Sequence, residues 1–474
     1  MITAKLSDGL LTYDFDLNPR PGLAESWEVR DDGLRVTFKL REGVKWHDGE
    51  AFTSKDVAFS MMQAWKVHHG RGRSTFAAVT DVETPDPSTA VFVLDRPAPA
   101  AMKALAAMES TIIPAHVYEG TDILNNPANL APVGTGPYRF VSYAPGEYVI
   151  LEKNPDYWDP DLPRLDQFVV RFIADAATRT AMIEAGEAQM VGYSWLPAPD
   201  LNRLAADPGF AIETRGYEYV SGLNHIEFNL DNPYLSDPLV RQAIAHAVDR
   251  DWILKNIWYG RGVVATGPIH YRQVEAYTSD GVPSYPLDLK KAEALLDQAG
   301  YPRGSDGTRF SLTIDPAPNG EENFHISEFL KESLRQIGIA LTIRNQDFGT
   351  FVKRVYTDRD FDMNTNTVNC SADPTIGVQR FYWSKNFKPG VAFSNCTHYA
   401  NPKVDALLEA AQVENDADKR KDEWKEFQQR VMADLPAVPL CCVDFATLAA
   451  SAVKDHTLGA TGIYSDQAET WLDS

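Results

Sequence analysis

Apolar side chains stand at every second position of residues 35–41, and polar side chains fill the positions between them. A two-residue period places the apolar side chains on one face of an extended chain, so the pattern predicts a half-buried strand that ends near Arg41. Gly43 and the Asp48-Gly49 pair follow, and Asp-Gly is a strong turn signal because glycine readily adopts a positive φ. The sequence therefore predicts a strand followed by a turn.

A helix is predicted directly after the turn. Thr53 begins the sequence Thr-Ser-Lys-Asp, a variant of the capping box that ends at Asp56, and apolar residues then open a helical face. Two later segments, KKAEALLDQAG and HISEFLKESLRQIGI, repeat apolar residues at the helical period, and each precedes a strand-like stretch. Gly300 and Gly338 are predicted to end these helices. Helices that alternate with strands from residue 236 onward predict a large α/β lobe.

Another helix is predicted before these two, starting near residue 236, with Ser236 as its cap and Pro238 early in its apolar repeat. Arg241 and His246 lie on this helix. We interpret both as solvated or hydrogen-bonded side chains without a catalytic role.

Three residues with metal-binding chemistry, His47, Asp48 and Glu50, cluster in the predicted turn. Metal ligands usually converge from rigid elements, whereas these three lie along a single exposed turn. We therefore interpret the cluster as scaffold. The GTGPY segment at 134–138 is likewise interpreted as a chain crossing between elements, because it lacks the lysine and the spacing of a phosphate-binding loop.

Length and charge narrow the class of protein. A chain of 474 residues exceeds one ordinary hydrophobic core and predicts two or three lobes. No apolar run approaches the roughly 20 residues that a membrane-spanning helix needs. The formal charge of -21 comes from 66 acidic and 45 basic residues without a basic cluster, so nucleic acid is excluded as a partner.

The cysteines, Cys370, Cys396, Cys441 and Cys442, show none of the paired spacings of a zinc site. A Cys370–Cys396 disulfide and free thiols are both compatible with this pattern, whereas the adjacent Cys441 and Cys442 are predicted to be buried thiols. The chain as given begins without the basic and apolar regions of a signal peptide, so either the protein is cytosolic or the chain starts downstream of such a leader.

Four segments carry a resemblance that covers nearly the whole chain. LAESWEVRDDGLRVTFKLREGVKWHDGEAFTSKDVAFS at 23–60 closely resembles the signature of the family-5 extracellular solute-binding proteins of bacterial ABC importers, which include dipeptide-, oligopeptide- and nickel-binding proteins. APVGTGPYRFVSYAPGEYVILEKNPDYWD at 131–159, FNLDNPYLSDPLVRQAIAHAVDRDWI at 228–253 and FSNCTHYANPKVDALLEAA at 393–411 are similar to three later segments of that family, in the same order.

The resemblance implies an α/β fold of the periplasmic-binding-protein type, with two main lobes joined by a two-crossing hinge near residues 230 and 447. Lobe I is expected to comprise three segments, lobe II one segment, and an extra α/β lobe is expected to be inserted early. The expected division is 1–21, 133–232 and 447–474 for lobe I, 22–132 for the inserted lobe, and 233–446 for lobe II.

The function that the resemblance implies is that of a receptor, not an enzyme. It would capture a small polar solute in a cleft between the main lobes, close by hinge motion, and deliver the solute to the permease subunits of an ABC importer. The resemblance implies a periplasmic or membrane-tethered monomer without cofactor or bound metal. It also implies that the signal peptide and the first residues of the family lie outside this chain.

Candidate ligand-binding residues follow from where the family places its cleft segments. Aromatic side chains bury a large area at low entropic cost, so Trp195, Tyr219 and the pair Tyr382-Trp383 are candidate cleft walls, with core packing as the alternative for each. Asn224 and His225 are candidate polar contacts, with a buried hydrogen bond as the alternative.

The segment FDMNTNTVNCSADPTIGVQRFYW at 361–383 departs from the peptide-binding pattern. The resemblance places Cys370 or Ser371 where peptide-binding relatives carry an aspartate that pairs with the peptide ammonium. Asp373 is the candidate to replace that aspartate. Asn366 and neighbouring asparagines present amide groups that suit hydroxyl or amide ligands. The ligand therefore stays open among peptides, opines, oligosaccharides and metal chelates.

A hydrolase is the remote alternative. SAVK at 451–454 matches the Ser-x-x-Lys pattern of some serine hydrolases, but no partner motif accompanies it. Histidines are scattered apart from His68 and His69, so direct metal binding is not expected.

Overall fold

The computed structural model describes residues 1–473 and consists of helices and short strands in alternation. Its strands are β1 Leu11–Tyr13, β2 Pro19–Pro21, β3 Ala24–Arg30, β4 Arg35–Leu40, β5 Val79–Asp86, β6 Thr89–Leu94, β7 Tyr138–Ala144, β8 Tyr148–Lys153, β9 Gln167–Arg171, β10 Met190–Val191, β11 Phe210–Glu213, β12 Gly222–Phe228, β13 Gly262–Val264, β14 Phe310–Pro316, β15 Ile339–Ile343, β16 Met363–Asn369, β17 Ala437–Val443, β18 Thr447–Ala450, β19 Val453–Lys454 and β20 Trp471–Leu472.

Its α-helices are α1 Thr3–Leu6, α2 Ser54–Phe59, α3 Gly72–Thr75, α4 Ala115–Tyr118, α5 Ala176–Glu184, α6 Ala198–Ala205, α7 Pro238–Ala247, α8 Arg250–Asn256, α9 Leu289–Gln298, α10 Glu321–Gln336, α11 Phe348–Val352, α12 Pro374–Gly377, α13 Gln379–Tyr382, α14 Pro402–Val413 and α15 Ala417–Asp434. Within the described residues, no helix is both long enough and apolar enough to span a bilayer.

The chain forms two units. Unit 1 comprises residues 1–219, 413–415 and 445–474, and unit 2 comprises residues 220–412 and 416–444. The mixed α/β class predicted from the sequence is confirmed. The expected five-segment division is finer than these two units and stays a prediction.

Unit 1 contains several small sheets. A four-stranded antiparallel sheet has the order β3-β4-β6-β5, and three-stranded sheets have the orders β7-β8-β9 and β10-β18-β11. The latter sheet joins the C-terminal strand β18 to strands from the middle of the chain, in antiparallel register. This arrangement explains why the C-terminal residues belong to the same unit as the N-terminal ones.

Unit 2 is built on one six-stranded mixed sheet with the order β13-β17-β12-β16-β14-β15. The pairs of β14 with β15 and with β16 are parallel, as helix-connected strands allow, whereas β12 pairs antiparallel with β16 and with β17. All seven residues of β12 are buried. Helices and strands do alternate after residue 236, and the central strand β12 precedes this stretch within the same unit.

The predicted strand, turn and helix at residues 35–59 are confirmed by β4 and α2. Gly49 has φ 94°, which glycine adopts without strain, and the Asp56 carboxylate accepts a hydrogen bond of 2.9 Å from the Thr53 N–H. The His47 ring also forms hydrogen bonds with two backbone groups. The Gly134 N–H donates to Nδ1 at 3.1 Å, so Nε2 carries the proton and donates to the Gly136 carbonyl at 3.0 Å.

The predicted cap of α7 is wrong by one residue. Asp237 is the N-cap, and its carboxylate accepts a hydrogen bond of 2.8 Å from the Leu239 N–H. The Ser236 hydroxyl instead donates to the Pro233 carbonyl at 3.0 Å. A carboxylate beside a helix N-terminus also interacts favourably with the helix dipole, which favours aspartate over serine here.

Arg241 is a hydrogen-bonded side chain, as predicted, since its guanidinium donates to four backbone carbonyls at 2.6–3.0 Å. All four cysteines of the chain are free and buried. The Cys370–Cys396 disulfide that the sequence left open is therefore not formed.

Candidate functional site

Asn224 lies on β12, and its buried side chain points toward α10. Its Nδ2 donates to Asn323 Oδ1 of α10 at 3.0 Å and to Thr367 Oγ1 of β16 at 2.9 Å. Asn323 in turn donates at 2.7 Å to the Oδ1 of Asn319, an exposed residue before α10. The side chain predicted as a ligand contact therefore takes part in a hydrogen-bonded chain of amides that reaches the surface.

His225 lies on the opposite face of β12, beside Glu227. The antiparallel register places Asn366 opposite His225 and Asn364 opposite Glu227, so four polar side chains share this face. His225 and Glu227 are each 1% exposed, and His225 Nε2 lies 3.7 Å from Glu227 Oε2, which is too long for a direct hydrogen bond.

Burial sets the charge of this pair. It lowers the pKa of His225 to about 3, with a further lowering by the charge of Arg380. It raises the pKa of Glu227 to about 7, against hydrogen bonds from Cys396 and Asn364 that lower it. The imidazole is therefore neutral at pH 7, and the pair is not an ion pair although its atoms lie within 4 Å. The edge of the ring faces Phe381, with ring centroids 5.9 Å apart.

Asn366 connects this face of the sheet to a surface loop. Its Oδ1 accepts a hydrogen bond of 3.2 Å from Asn319 Nδ2, and its own Nδ2 lies 3.5 Å from the hydroxyl of the buried Tyr356. The amide is buried, but its hydrogen-bond partner Asn319 is exposed. Asn366 thus lies one hydrogen bond away from the solvent-accessible part of unit 2.

The chain turns sharply after β16, at residues 370–373. Ser371 has φ 59°, in the left-handed region that non-glycine residues seldom adopt. The N–H groups of Cys370 and Ser371 donate to the carbonyls of Ser221 and Val220 at 3.0 and 3.1 Å. The turn is therefore fastened to the first residues of unit 2.

Asp373, the candidate for the missing aspartate, is 2% exposed and already paired. Its two carboxylate oxygens accept hydrogen bonds of 2.8 Å each from the guanidinium of Arg420, and the Thr375 N–H donates at 2.8 Å as Asp373 caps α12. Burial alone raises the pKa of Asp373, but the charge and hydrogen bonds of Arg420 hold it below its ordinary value. The carboxylate is thus ionised and neutralised by Arg420.

The aromatic candidates of unit 2 differ from each other. Tyr382 is buried in the core, where its ring packs edge-on against Phe427 with centroids 5.7 Å apart. Trp383 is partly exposed, and its Nε1 donates to the Glu409 carboxylate at 3.0 Å. Trp383 therefore has a fixed orientation and an accessible ring edge.

The aromatic candidates of unit 1 differ in the same way. Trp195 is 47% exposed and lies next to Tyr193, whose ring stacks on Phe445 with centroids 4.1 Å apart. Tyr193 has φ 59°, and its N–H donates a hydrogen bond of 2.6 Å to the Tyr217 hydroxyl oxygen, so the loop before Trp195 is held in an unusual conformation. Trp195 thus presents a rigidly supported aromatic surface to solvent.

Tyr219 is the last residue of unit 1 before the chain enters unit 2. It is buried, and its hydroxyl donates to the Lys103 carbonyl at 2.7 Å. Its ring lies 5.5 Å from that of Tyr13. This packing corresponds to the core alternative that the sequence left open for Tyr219.

Neither a metal centre nor the Ser-x-x-Lys pattern gains support from the geometry. Across residues 1–473, no three His, Cys, Asp or Glu side chains are placed to hold a metal ion. The Ser451 hydroxyl donates to the Pro208 carbonyl at 2.8 Å, so its proton is directed at a backbone oxygen. A nucleophilic serine would need that proton directed at a base.

Sequence reasoning missed Gln273 and Arg420, which hold the 370–373 turn. Gln273 Nε2 donates to the carbonyls of Cys370 and Ser371 at 3.1 and 2.9 Å. Both residues are far from the turn in sequence, and neither belongs to a local motif. The sequence carries a signal for one of these contacts: Asp373 stands directly before Pro374, a pattern typical of a helix N-cap.

The chain is similar to known proteins over nearly its whole length. The family model for bacterial extracellular solute-binding proteins, family 5 Middle, matches residues 18–390. A protein of Brucella ovis named as an ABC transporter peptide-binding protein is 30% identical, covering 98% of this chain and 87% of the relative. The glutathione-binding protein GsiB of Shigella flexneri is 28% identical, covering 96% of this chain and 85% of the relative.

The fold of a solved relative agrees with these matches. The crystal structure of NikZ from Campylobacter jejuni in complex with Ni(L-His) has a TM-score of 0.84 and 28% identity, covering 96% of this chain and 91% of NikZ. Because the family model spans most of the chain and the Brucella relative aligns almost throughout, this chain belongs to the bacterial extracellular solute-binding proteins of family 5.

Proposed function

We propose that this protein is the substrate-binding component of an ABC importer, which captures a small polar solute and delivers it to membrane permease subunits. The observation that carries the proposal is the match over 98% of the chain to a relative named as an ABC transporter peptide-binding protein. We further propose a periplasmic or membrane-tethered location and a monomeric state.

The solute is proposed to be a peptide or a compound with peptide-like amide groups. Two relatives support this class, since their names state that they bind peptide and glutathione. Metal chelates form the second candidate class, because NikZ is similar in fold and was crystallised with Ni(L-His). In this chain a chelate would bind as a complete small molecule, since residues 1–473 provide no ready group of three metal-ligating side chains.

One exposed tryptophan, one partly exposed tryptophan and one buried asparagine are proposed as contacts to the solute, each considered within its own unit. Trp195 in unit 1 is exposed and supported by Tyr193, so it offers an area for stacking or apolar contact. Trp383 and Asn366 are the corresponding proposals in unit 2. The predicted contacts of Tyr219, Asn224, His225, Cys370, Ser371 and Asp373 stay predictions.

Native mass spectrometry of the purified protein, compared with its denatured mass, is the first test. A discrete additional mass that is lost on denaturation supports the receptor function and identifies the solute class. If none is retained, a thermal-shift panel of peptides, opines, oligosaccharides and Ni(L-His) follows, in which a bound solute raises the melting temperature by mass action. Failure of every class in both assays would contradict the proposal.

A matched pair of tryptophans tests the proposed contact. Trp195 and Trp252 are 47% and 42% exposed, but Trp252 lies on α8 and stacks on Phe329. We expect Trp195→Ala to weaken solute binding at least tenfold and Trp252→Ala to change it less than threefold, as measured by isothermal titration calorimetry. Equal effects of the two substitutions would remove Trp195 from the site.

A further inference from the structure

The sequence contains a single Asn-Gly pair, Asn319-Gly320, which lies in the turn between β14 and α10. An asparagine followed by glycine loses its side-chain amide more readily than other asparagines, because a residue without a Cβ lets its backbone nitrogen approach the asparagine side chain. Asn319 is exposed and belongs to neither the strand nor the helix. Neither element therefore restrains the pair from this reaction.

The atoms that would react are open in the folded protein. Within residues 1–473, the Gly320 N–H has no hydrogen-bond partner. Gly320 is extended, with φ 178° and ψ 142°, and precedes the first turn of α10. Asn323 Nδ2 donates to Asn319 Oδ1 at 2.7 Å, which draws electron density away from Cγ. The fold thus leaves the nucleophilic nitrogen free and polarises the carbon that it would attack.

The Asn319 side chain also fastens this turn to β16. Its Nδ2 donates to Asn366 Oδ1 at 3.2 Å and to the Thr367 carbonyl at 3.3 Å. Both partners are acceptors, so these two bonds require the amide of asparagine and cannot be made by a carboxylate. The chemical state of Asn319 therefore determines whether the turn is held.

We propose that Asn319 is a deamidation site, at which an amide is slowly replaced by a carboxylate. The Gly320 nitrogen would attack Asn319 Cγ, so that an N–Cγ bond forms and the Cγ–Nδ2 bond breaks. Nδ2 leaves as ammonia and takes up the proton of the attacking N–H. Water then opens the cyclic imide at either of its carbonyl carbons, which yields aspartate or isoaspartate. One water is consumed and one ammonia is released, and the proposal does not depend on the receptor function.

Deamidation would remove both donors from this position. The carboxylate oxygens would face Asn366 Oδ1 and the Thr367 carbonyl with no proton between them, because an ionised carboxylate only accepts hydrogen bonds. The isoaspartate product also carries the main chain through the side-chain carbon, which lengthens the backbone directly before α10. Both products therefore weaken the attachment of this turn to β16.

Mass spectrometry of the aged protein tests the site. Purified wild type is incubated at mildly alkaline pH and physiological temperature, sampled over weeks and digested with trypsin, which releases residues 310–331 as one peptide. This peptide contains the buried Asn323, followed by Phe324, as an internal control. We expect Asn319 to convert at least tenfold faster than Asn323, with aspartate and isoaspartate both present. Conversion of Asn319 no faster than that of Asn323 would overturn the proposal.

Two glycines form a matched pair for the mechanism. Gly320→Ala adds a Cβ beside the attacking nitrogen, and this Cβ would lie 2.7 Å from Glu322 Oε2, the end of a flexible side chain that can move aside. Gly349→Ala also adds a Cβ near a carboxylate, at 3.3 Å from Asp347 Oδ1, but it does not follow an asparagine. We expect Gly320→Ala to slow conversion at least fivefold and Gly349→Ala to keep the wild-type rate. Equal rates in the two variants would refute attack by the Gly320 nitrogen.

Two asparagines test the consequence for the fold. Asn319→Asp reproduces the aspartate product, and we expect it to lower the melting temperature by about 2–4 °C, because two hydrogen bonds are lost. Asn345 is also exposed and precedes a helix, but its Oδ1 accepts the Gln346 N–H at 3.0 Å, a bond that a carboxylate retains. Asn345→Asp should change the melting temperature by less than about 1 °C. Equal changes in calorimetry would refute the predicted loosening of the turn.

Discussion

Replacing Glu227 by glutamine tests whether the fold keeps this carboxyl group protonated near neutral pH. Glu227 is 1% exposed on β12, and its Oε2 has no hydrogen-bond partner within the described residues. Burial raises its pKa from 4.5 to about 7, against hydrogen bonds from Cys396 and Asn364 and the charge of Arg380. The difference corresponds to about 3 kcal/mol, because one pKa unit equals about 1.4 kcal/mol.

The sign of the effect follows from proton binding. Between pH 4.5 and about 7, the folded state retains a proton that the unfolded state has released, so wild-type stability falls as pH rises and levels off above pH 7. His225 contributes the opposite slope, since its pKa is lowered to about 3 and stability falls as pH drops below 6.5. This second contribution is common to the wild type and to Glu227→Gln, so their difference isolates the carboxyl group.

Urea unfolding of both proteins between pH 4.5 and pH 8 measures this difference. We expect the stability of Glu227→Gln relative to wild type to increase by about 3 kcal/mol across this range. Glu328→Gln, at an exposed position on α10, serves as the control and should show no such change. A relative stability of Glu227→Gln that stays constant within about 1 kcal/mol would refute the inference that burial dominates the protonation of this group.

Three further predictions, one of them with a matched control, test the fold. Asp237→Ala should lower stability by about 1 kcal/mol through loss of the α7 cap, while Ser236→Ala should change it by less than about 0.5 kcal/mol, both by urea unfolding. Phe228→Ala removes a fully buried ring from the unit 2 sheet and should cost about 3–5 kcal/mol, seen as a lower melting temperature in calorimetry. His47→Phe leaves the Gly134 N–H and the Gly136 carbonyl without their hydrogen-bond partner and should accelerate hydrogen exchange of residues 133–137. Unchanged exchange would contradict a stabilising role of these two hydrogen bonds.

Local patterns predicted the elements of this fold well. The strand at residues 35–40, the turn at Gly49 and the helix after Thr53 are determined by side-chain period, glycine and capping, all of which act within a few residues. The same holds for α9 and α10, whose apolar repeats and terminal glycines are visible in the sequence. The error at Ser236 arose because two adjacent residues both have capping side chains, and only the backbone geometry selects Asp237.

The arrangement around the candidate site could not be predicted in this way. Asp373 and Arg420 are 47 residues apart, and Gln273 is 97 residues from Cys370, so no local period or motif connects them. Asp373 was predicted to be available to a ligand because its partner Arg420, on α15, comes close to the turn only in the folded unit 2. Long-range ion pairs of this kind decide whether a carboxylate is available to a ligand.

The sequence also cannot show whether the polar residues of β12 bind a ligand or form hydrogen bonds within the fold. All seven residues of this strand are buried, so Asn224, His225 and Glu227 must each be satisfied within the fold or by a ligand. A sequence cannot separate these cases, since both require a polar residue in an apolar setting. The structure separates them: Asn224 donates to Asn323 and Thr367. Within the described residues the ring nitrogens of His225 and Oε2 of Glu227 have no hydrogen-bond partner, and burial shifts the pKa of each group toward its neutral form.

The match to the family model spans residues 18–390 and therefore includes both the predicted elements near the N-terminus and the turn at residues 370–373. The segments that match the family, such as 23–60 and 131–159, form strands, turns and chain crossings whose packing determines the fold. The turn at residues 370–373 is constrained by the left-handed φ of Ser371 and by the close approach of Gly377 to the Cys370 carbonyl oxygen. Gln273 and Arg420 hold this turn through hydrogen bonds to its carbonyls and to Asp373, so a carboxylate that looks free in the sequence is already paired in the fold.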